Sequence, residues 1–563
     1  MSEAVRSRFL VVGLLLLTFT LALTSAVQKS PTMDEQNHIA RGAAYLGTGD
    51  PRLSVEHPPL VNVLSALPAH LLLDLHLPLD EWWEFGEWYI FADNFLWRAN
   101  SHPDRIVFLA RLPVIGLGLV LVSLVFRWAR SRWGPRGGLV AAAFCALDPN
   151  VLAHTRLSTT DVGGTCFVFL AAYGLWRAVR RPSWPRVLGS GLAFGLALSA
   201  KLSNLLFGPI FALVVLADAL AGGYGNPPHD GGRDRLRRVV RNLALWALTV
   251  LLGLLVVWAT YGFQVGPFPP GGGIKWGAGD GSQTPLVPAS PYLKGVLAIL
   301  DFSAGGRPAY LLGQYDHGWW YYFPVAFVVK TPLATLVALL LATGKGLRCF
   351  HRDDLWLLIP PVVYFLASMT SNLNIGYRHL LPVLPFLAVY IARLAPRPHP
   401  HTTTPPYSPL ILPALLVLWL TIATVCIYPH FLAFFNPIGG GPEDGWRILV
   451  DSNIDWGQDL KGLKAWMGRE GVDRVRLSWF GSARAEAYDI ACDLLPGVPH
   501  GFSLWEDPPF DREQPEPGVY AISVTNLVGV HFPDHDLYAW FRARPPDAKI
   551  GYSLFIYEVP ADG

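Results

Sequence analysis

Charged side chains suited to proton transfer and charge neutralisation lie at the ends of long apolar segments. Asp34 and Glu35 follow the first apolar run, Val11 to Val27. A carboxylate in such a place can accept the proton of an attacking hydroxyl as a general base. Lys201 and Arg378 lie at the ends of later apolar runs, and their cations can stabilise charge on a departing phosphate. The pattern predicts chemistry on a lipid-borne, phosphate-containing substrate at a bilayer surface.

The composition indicates a polytopic membrane protein. The chain has 563 residues, of which 52% are hydrophobic and only 15% charged, which is too apolar for a soluble protein of this length. The net charge is +2, and the basic residues are concentrated in particular loops, so they report orientation rather than a nucleic-acid partner. The five cysteines form no disulfide framework outside the membrane and no CxxC motif.

About 20 apolar residues are needed to cross a hydrocarbon core about 30 Å thick. Scanning the chain for such runs gives about eleven candidate transmembrane spans. They cover residues 8–27, 106–126, 137–155, 162–179, 187–200, 203–220, 242–261, 322–342, 355–370, 379–394 and 409–428.

Loop charges predict the orientation of these spans. Arg6 and Arg8 precede the first span, and arginines or lysines follow the second, fourth, sixth, eighth and tenth spans. Cytoplasmic loops collect Lys and Arg, so the N-terminus is predicted inside and the C-terminus outside. A cleaved signal peptide is the alternative for residues 1–27, and it also leaves Asp34 outside.

The predicted fold is an all-α transmembrane bundle with a small extracytoplasmic α/β domain at the C-terminus. Residues 1–429 form the predicted membrane module, with outward loops at 28–105 and 262–321, and residues 430–563 form the α/β domain. In that domain we expect a helix at 460–467 and strands at 475–480, 519–524 and 553–559.

The ionisable residues favour an enzyme over a transporter. A transporter is expected to carry ionisable groups near the centres of its spans, and often an internal repeat. Here the span centres are nearly free of charge, and no convincing repeat is found. The polar residues gather instead at the outward ends: Asp34, Glu35, His38, Asp148, His154, Asp161, Lys201, Asn374, Tyr377, Arg378 and His379. This distribution predicts a site at the outer leaflet.

Several motifs resemble one family of membrane enzymes. They are Met33-Asp34-Glu35 to Asp50, Glu56-His57-Pro58-Pro59-Leu60, Leu147-Asp148-Pro149-Asn150 to Thr160-Asp161, Gly195 to Lys201, and Gly376-Tyr377-Arg378-His379. Together they resemble the GT-C membrane glycosyltransferases of glycosyltransferase family 39, which includes protein O-mannosyltransferase-like and aminoarabinose-transferase-like enzymes. The resemblance covers about the first 430 residues.

The resemblance implies roles for particular residues. It implies that Asp34 is catalytic, that Asp161 helps to hold the site and, in some members, a divalent metal, and that Lys201 and the segment around Arg378 meet the lipid phosphate. The run from Leu449 to Leu460 is similar to one in a bacterial subgroup, without an implied role. The chain lacks the sugar-binding MIR insert of eukaryotic O-mannosyltransferases and has fewer spans than aminoarabinose transferases, which argues against a protein acceptor and against lipid A.

Each of these residues also has a purely structural interpretation. Glu35 could orient Asp34 or cap the following helix, Asp161 could be a helix N-cap, and Lys201 could reach along the helix to the membrane surface. Arg378 and His379 could anchor the chain to lipid phosphates, and His57 could shape its proline loop. Asp455 and Asp459 are predicted to lie on a solvated helix face.

The residues and the resemblance together predict a glycosyltransferase of the cytoplasmic membrane that uses a polyprenyl-phosphate sugar, and the resemblance alone implies that it is inverting. The predicted catalytic residues are Asp34 and Glu35, and Asp161 is a candidate ligand for a divalent metal cation. The predicted substrate-binding residues are His38, His57, Lys201, Tyr377, Arg378 and His379. The acceptor is a glycan, lipid or protein, and no nucleic acid is involved. The alternatives are a lipid-linked sugar flippase without bond chemistry and a receptor whose outward domain binds a partner.

Overall fold

The computed structural model of the protein describes residues 3–222, 232–268, 285–395, 411–497 and 508–561. Apolar helices dominate the described chain up to residue 427, and a five-stranded sheet follows near the C-terminus. The predicted fold class, a polytopic helical bundle with a small α/β region at its C-terminus, is confirmed.

The helical part alternates long apolar helices with short surface elements. Its first helices are α1 (Glu3–Gln28), α2 (Glu35–Thr48), α3 (Pro59–Leu72), α4 (Glu81–Phe85), α5 (Trp88–Asp93), α6 (Pro103–Ala146), α7 (Pro149–Thr155), α8 (Thr160–Arg180), α9 (Trp184–Ala200), α10 (Phe207–Leu220) and α11 (Gly232–Thr260). Two hairpins flank the next helix: β1 (Val265–Pro267) with β2 (Leu286–Pro288), and β3 (Ala309–Leu311) with β4 (Gln314–Asp316). The remaining helices are α12 (Ser290–Gly305), α13 (Tyr322–Lys330), α14 (Leu333–Arg348), α15 (Asp354–Ser368), α16 (Leu384–Ile391) and α17 (Ile411–Ile427).

Each of the eleven predicted spans overlaps helical segments where the structure describes it, although the spans 137–155 and 322–342 are each interrupted by a short break. Within the described ranges, five helices are long and apolar enough to cross a membrane by themselves, and α13 with α14, bent by 106° at the break between them, meets the same criteria as a pair. α3, α15 and α17 are shorter apolar helices. The protein is therefore a multi-pass membrane protein.

The second and third predicted spans are joined almost without a loop in α6. The break lies at Gly134, whose φ of 76° and ψ of −175° suit glycine because a Cβ would clash with the backbone there. Pro135 follows, and its fixed φ suits the first turn of the helix that restarts after the break. Gly134 thus divides the 44-residue segment into two helices that meet at a kink.

The ends of the predicted spans sort into two groups. Arginines at or after the ends of the second, fourth, eighth and tenth spans meet three aspartates at one end of the bundle. The contacts join Arg132 and Arg393 to Asp354, Arg180 to Asp353, and Arg352 to Asp218. Residues that follow the first, third, fifth and ninth spans, namely Asp34, Asp161, Lys201 and Arg378, meet elsewhere in one cavity. Alternate span ends therefore lie at two separate places, as predicted for a chain that crosses the membrane back and forth.

Close packing of α2 on α3 fixes the segment that follows Asp34. A Cβ added to Gly42 would lie 2.0 Å from the carbonyl oxygen of Asn62, so this approach requires glycine. The same contact brings His38 Nδ1 within 2.9 Å of Asn62 Oδ1. The face of α2 that carries Asp34 and His38 is therefore held in a fixed orientation.

The C-terminal α/β domain, taken here as the predicted residues 430–563, is built on one mixed sheet. Its elements are α18 (Gly441–Asp444), α19 (Leu460–Glu470), β5 (Val475–Ser478), β6 (Cys492–Leu494), β7 (Gly518–Ser523), α20 (Val524–Val528), α21 (Ala539–Arg542), β8 (Ala548–Ile550) and β9 (Leu554–Val559). The strand order is β6-β5-β7-β9-β8, with β5 parallel to β6 and β7, and β9 antiparallel to β7 and β8. The predicted helix and three predicted strands are present.

The prediction that Asp455 and Asp459 lie on a solvated helix face is wrong. Both residues are buried, because α19 begins only at Leu460 and the preceding segment packs between the domain and α1. Asp459 forms an ion pair with Lys29 and accepts a hydrogen bond of 2.6 Å from the hydroxyl of Ser553. These contacts attach the C-terminal domain to the end of the first span.

Candidate active site

A cavity of about 360 Å³ lies where the loops that are predicted to face outward meet the C-terminal domain. Seven of the nine residues predicted for the site line it: Asp34, His38, His57, Asp161, Lys201, Arg378 and His379. Its other lining residues are Met33, Asn37, Arg41, Glu56, Trp88, Tyr89, Thr160, Ile299, Phe302, Arg307, Pro308, Leu373, Ile375, Asp451, Trp456, Phe480 and His531. Charged groups thus share this space with apolar side chains.

Arg378 connects two carboxylates that come from distant parts of the chain. Its Nη1 lies 3.1 Å from Asp34 Oδ2 and 4.0 Å from Asp161 Oδ2. The Nζ of Lys201 lies 2.5 Å from Asp161 Oδ1. The Asp34 side chain is 32% exposed, whereas that of Asp161 is only 3% exposed. Asp34 is therefore the carboxylate that a substrate hydroxyl can reach, and Asp161 holds the two cations in place.

Local backbone structure presents the two cations. Lys201 interrupts the apolar chain between α9 and a 3-10 helix at Leu202–Leu206, and its own backbone is extended. Arg378 lies in a 3-10 helix, Tyr377–Val383, which precedes α16. Its guanidinium lies 4.1 Å from the ring centroid of Trp456, a cation–π contact with the C-terminal domain. Lys201 is buried and paired, so reaching along the helix to the membrane surface does not describe it.

Asp161 does not have the surroundings of a metal ligand. One of its oxygens accepts from Lys201 and the other accepts a 3.1 Å hydrogen bond from the hydroxyl of Thr159. Among the residues that the structure describes, no three His, Cys, Asp or Glu side chains are grouped so that they could hold a metal ion. A lysine beside a single carboxylate repels a cation, so these residues do not fit a divalent metal.

Glu35 points away from the cavity, although Asp34 is its neighbour in sequence. Its carboxylate binds Arg111 through two hydrogen bonds of 2.8 and 2.7 Å and also accepts from the backbone N–H groups of Ser158 and Thr32. Burial opposes ionisation, but Arg111 and the two N–H groups hold the pKa of Glu35 below its ordinary value. The carboxylate of Glu35 is therefore occupied by buried contacts and does not line the cavity.

Tyr377 also lies outside the lining of the cavity. Its side chain is 1% exposed, and its hydroxyl lies 2.9 Å from the hydroxyl of Thr331. Its backbone N–H donates to Asn453 in the C-terminal domain. Tyr377 therefore supports the backbone that carries Arg378 and does not reach the space where a substrate could bind.

Three of the four histidines that line the cavity, His38, His57 and His379, are neutral, partly oriented rings. The rings of His38 and His57 are 4.7 Å apart, with an edge of one facing the other. Burial lowers the pKa of His38 to about 4 and that of His57 well below its usual range. The Nε2 atom of His379 is buried, with no hydrogen-bond partner among the described residues. These rings can exchange hydrogen bonds with a bound sugar but do not supply positive charge near neutral pH.

Sequence reasoning gave no role to several residues of the cavity. Arg41 is buried, its Nη2 lies 3.8 Å from Glu56 Oε2, and its guanidinium lies 4.5 Å from the Trp88 ring centroid. Arg41 lies seven residues after Asp34 and three after His38, a spacing that places the three side chains on one face of a helix. This spacing could have identified Arg41 from the sequence. From the C-terminal domain, Asp451 and Trp456 lie in the run Leu449 to Leu460, which had no implied role, and Phe480 and His531 had no sequence signal.

A comparison with protein families supports the likeness seen in the sequence. The model of the family described as dolichyl-phosphate-mannose-protein mannosyltransferase matches residues 106–222. The predicted resemblance to glycosyltransferase family 39 is confirmed. The matched segment contains Asp161 and Lys201, whereas Asp34 and Arg378 lie outside it. None of the curated proteins matches the chain.

Solved structures with similar chain traces include two of ArnT from Cupriavidus metallidurans. The apo form is 14% identical, with a TM-score of 0.47, and the alignment covers 76% of this chain and 71% of that one. The form bound to undecaprenyl phosphate is 11% identical, with a TM-score of 0.46 and 97% of both chains covered. The Pmt1-Pmt2 complex of S. cerevisiae bound to its sugar donor is 16% identical, with a TM-score of 0.34, and 46% of this chain and 33% of that chain are covered.

Proposed function

We propose that this protein transfers a glycosyl group from a polyprenyl-phosphate-linked sugar to an acceptor at the outer side of the cytoplasmic membrane. The observation that carries the proposal is that Asp34, a reachable carboxylate, lies in one cavity with Lys201 and Arg378. The family description names a mannosyltransferase that uses dolichyl phosphate mannose, which supports a donor of this class.

In the proposed reaction the acceptor oxygen attacks the anomeric carbon of the sugar. An oxygen of Asp34 takes the proton from that hydroxyl as the new carbon–oxygen bond forms. The bond between the anomeric carbon and the phosphate oxygen breaks, and its electron pair stays on the phosphate. Arg378 and Lys201 stabilise the resulting charge. A single displacement of this kind inverts the configuration at the anomeric carbon.

The apolar part of the cavity suits the lipid portion of such a donor. Ile299 and Phe302 from α12 and Leu373 and Ile375 from the loop before Arg378 line the same space as the charged groups. An isoprenoid chain that lies against these side chains would hold its phosphate toward the cations. The basic loop ends, which are predicted to be cytoplasmic, gather in a separate cluster, so the cavity is assigned to the outer side.

The proposal predicts that Asp34→Asn nearly abolishes glycosyl transfer while the protein still inserts and folds. Asn has the same size but cannot take up the proton. The matched control is Asp50→Asn, because the Asp50 side chain is also 32% exposed and paired with an arginine, Arg52 at 2.8 Å, but lies outside the cavity lining. Asp50→Asn should keep wild-type transfer.

The measurement uses purified protein in liposomes with labelled undecaprenyl-phosphate sugars and a cell-envelope fraction as the source of acceptor. Movement of label to the acceptor, or release of free sugar by hydrolysis, supports the enzyme. Passage of intact donor between leaflets without bond cleavage would instead identify a flippase. Full transfer activity in Asp34→Asn would reject the assigned base.

A further inference from the structure

The wall that the C-terminal domain contributes to the cavity contains a histidine–aspartate pair. His531 Nε2 lies 3.3 Å from Asp451 Oδ2, and both side chains are 16% exposed and line the cavity. The His531 ring is stacked on Phe480, with centroids 5.1 Å apart and planes 10° from parallel. The orientation of the imidazole is therefore restrained by stacking on Phe480 and by the contact with Asp451.

Asp451 is held in an unusual backbone conformation. Its φ is 59°, in the left-handed region that non-glycine residues seldom occupy, and its backbone N–H donates to the hydroxyl of Thr525 at 3.2 Å. Such strain is found where surrounding structure imposes a conformation, often at ligand sites. The Asp451 carboxylate contacts His531 and, like Asp34, attracts Arg378 electrostatically.

The carboxylate determines which imidazole nitrogen carries the proton. With Nε2–H donating to Asp451, the Nδ1 atom of a neutral ring has a free lone pair and can only accept a hydrogen bond. No described residue donates a hydrogen bond to Nδ1. A ring fixed in this way on the cavity wall is a ready acceptor for an O–H group.

We propose that His531 and Asp451 form the acceptor subsite, in which His531 Nδ1 accepts a hydrogen bond from a hydroxyl-bearing acceptor. The proposal rests on the proposed glycosyl transfer and assigns a function to the C-terminal domain. Asp451 is a positioning residue, because it acts through His531. Neither residue is needed to cleave the donor when water replaces the acceptor.

The test separates transfer from hydrolysis in the full-length protein. Labelled undecaprenyl-phosphate sugar is supplied with the envelope fraction of cells that lack the protein, and the label is followed into lipid, protein, glycan and free sugar. We expect His531→Ala to raise the apparent KM for acceptor about tenfold, as for loss of one hydrogen bond, with hydrolysis unchanged. Asp451→Asn should raise the apparent KM for acceptor by a smaller factor. His531→Gln keeps a hydrogen-bond acceptor atom, so it should recover part of the transfer that His531→Ala loses.

His535→Ala is the matched control. His535 lies four residues further along, stacked on Tyr315 with ring centroids 3.9 Å apart, and it is outside the cavity lining. Equal loss of transfer and hydrolysis in His531→Ala, or unchanged transfer, would overturn the acceptor subsite while leaving the proposed function intact. If the wild-type protein neither transfers nor hydrolyses the donor, the proposed function fails and this inference with it.

Discussion

Two clusters of charged side chains lie next to each other where the C-terminal domain meets the helices. Asp34 belongs to the cluster in the cavity, and its sequence neighbour Glu35 belongs to the other. In the cavity, Asp34 is 32% exposed and meets Arg378 through one contact. In the sealed cluster, formed by Glu35, Arg111, Lys29 and Asp459, all side chains are at most 3% exposed. Both clusters pair carboxylates with an arginine and a lysine. What differs is whether a carboxylate keeps an oxygen within reach of a substrate.

The sealed cluster is structural because its hydrogen bonds are nearly complete. Arg111 donates to Glu35 and also to the backbone carbonyls of Ala26, Lys29 and Ser30, so it closes the end of α1. Fully buried ions are tolerated only when they are paired in this way. The contrast predicts that changes in the sealed cluster alter stability and that changes in the cavity alter turnover.

The largest expected effect is on stability, from Glu35→Gln. The substitution leaves the charge of Arg111 buried without its counter-ion, and breaking a buried pair in this way costs about 3–5 kcal/mol. The thermal melting temperature in detergent measures the loss. The control, Glu84→Gln, removes an exposed partner of Arg52, a kind of pair worth at most about 1 kcal/mol. If the Glu35→Gln protein is as stable as the wild type but has lost transfer, the stability prediction is wrong and Glu35 is catalytic.

The second-largest expected effect is a lower turnover number in Arg378→Gln. Loss of a donor that stabilises developing charge lowers kcat by about 100- to 1000-fold, equivalent to ~2.7–4 kcal/mol. Initial rates of transfer from labelled donor provide the measurement. Arg447→Gln is the matched control, because Arg447 also lies over a tryptophan, Trp446 at 4.6 Å, beside an aspartate, but at the exposed surface. Equal activity in both variants would contradict the assignment of Arg378.

The smallest effect concerns Asp455, which lies beside the sealed cluster. Burial raises the pKa of Asp455 to about 7, so the folded protein keeps a proton there that the unfolded chain loses near pH 4. Because the folded state binds more protons over this window, stability falls as the pH rises from about 4 to 7 and is level above it. Between pH 6 and 8 this amounts to about 1 kcal/mol.

Melting temperatures from pH 5 to 8 measure this dependence in the wild-type protein and in Asp455→Asn. The amide does not titrate, so its melting temperature should fall less over the same range. Parallel curves for the two proteins would show that Asp455 is already ionised in the folded state, as the paired carboxylates of the sealed cluster are.

Local signals in the sequence were enough to predict the helices and much of the cavity. Apolar run length identified the spans, because the bilayer imposes that length. The alternation of loop charge predicted that Asp34, Asp161, Lys201 and Arg378 share one end of the bundle, and the structure brings these four together. Their roles in catalysis stay predictions.

Local signals could not show which way individual side chains turn. Asp34 and Glu35 are equivalent as sequence, and only the position of Arg111, 76 residues away from Glu35, separates them. The spacing of Asp455 and Asp459 predicted an exposed helix face because the partner, Lys29, lies 430 residues away from Asp459. Likewise, no periodicity brings Asp451 and His531 to the cavity. Long-range pairing of polar groups determines these positions.

The contribution of Asp451, Trp456, Phe480 and His531 to the cavity affects the biosynthesis of this protein. The helices carrying Asp34, Lys201 and Arg378 are translated well before the final strands. Until the C-terminal segments that carry these four residues have left the ribosome and docked, the cavity lacks one wall. Nascent or prematurely terminated chains would thus hold the helices around an open cavity.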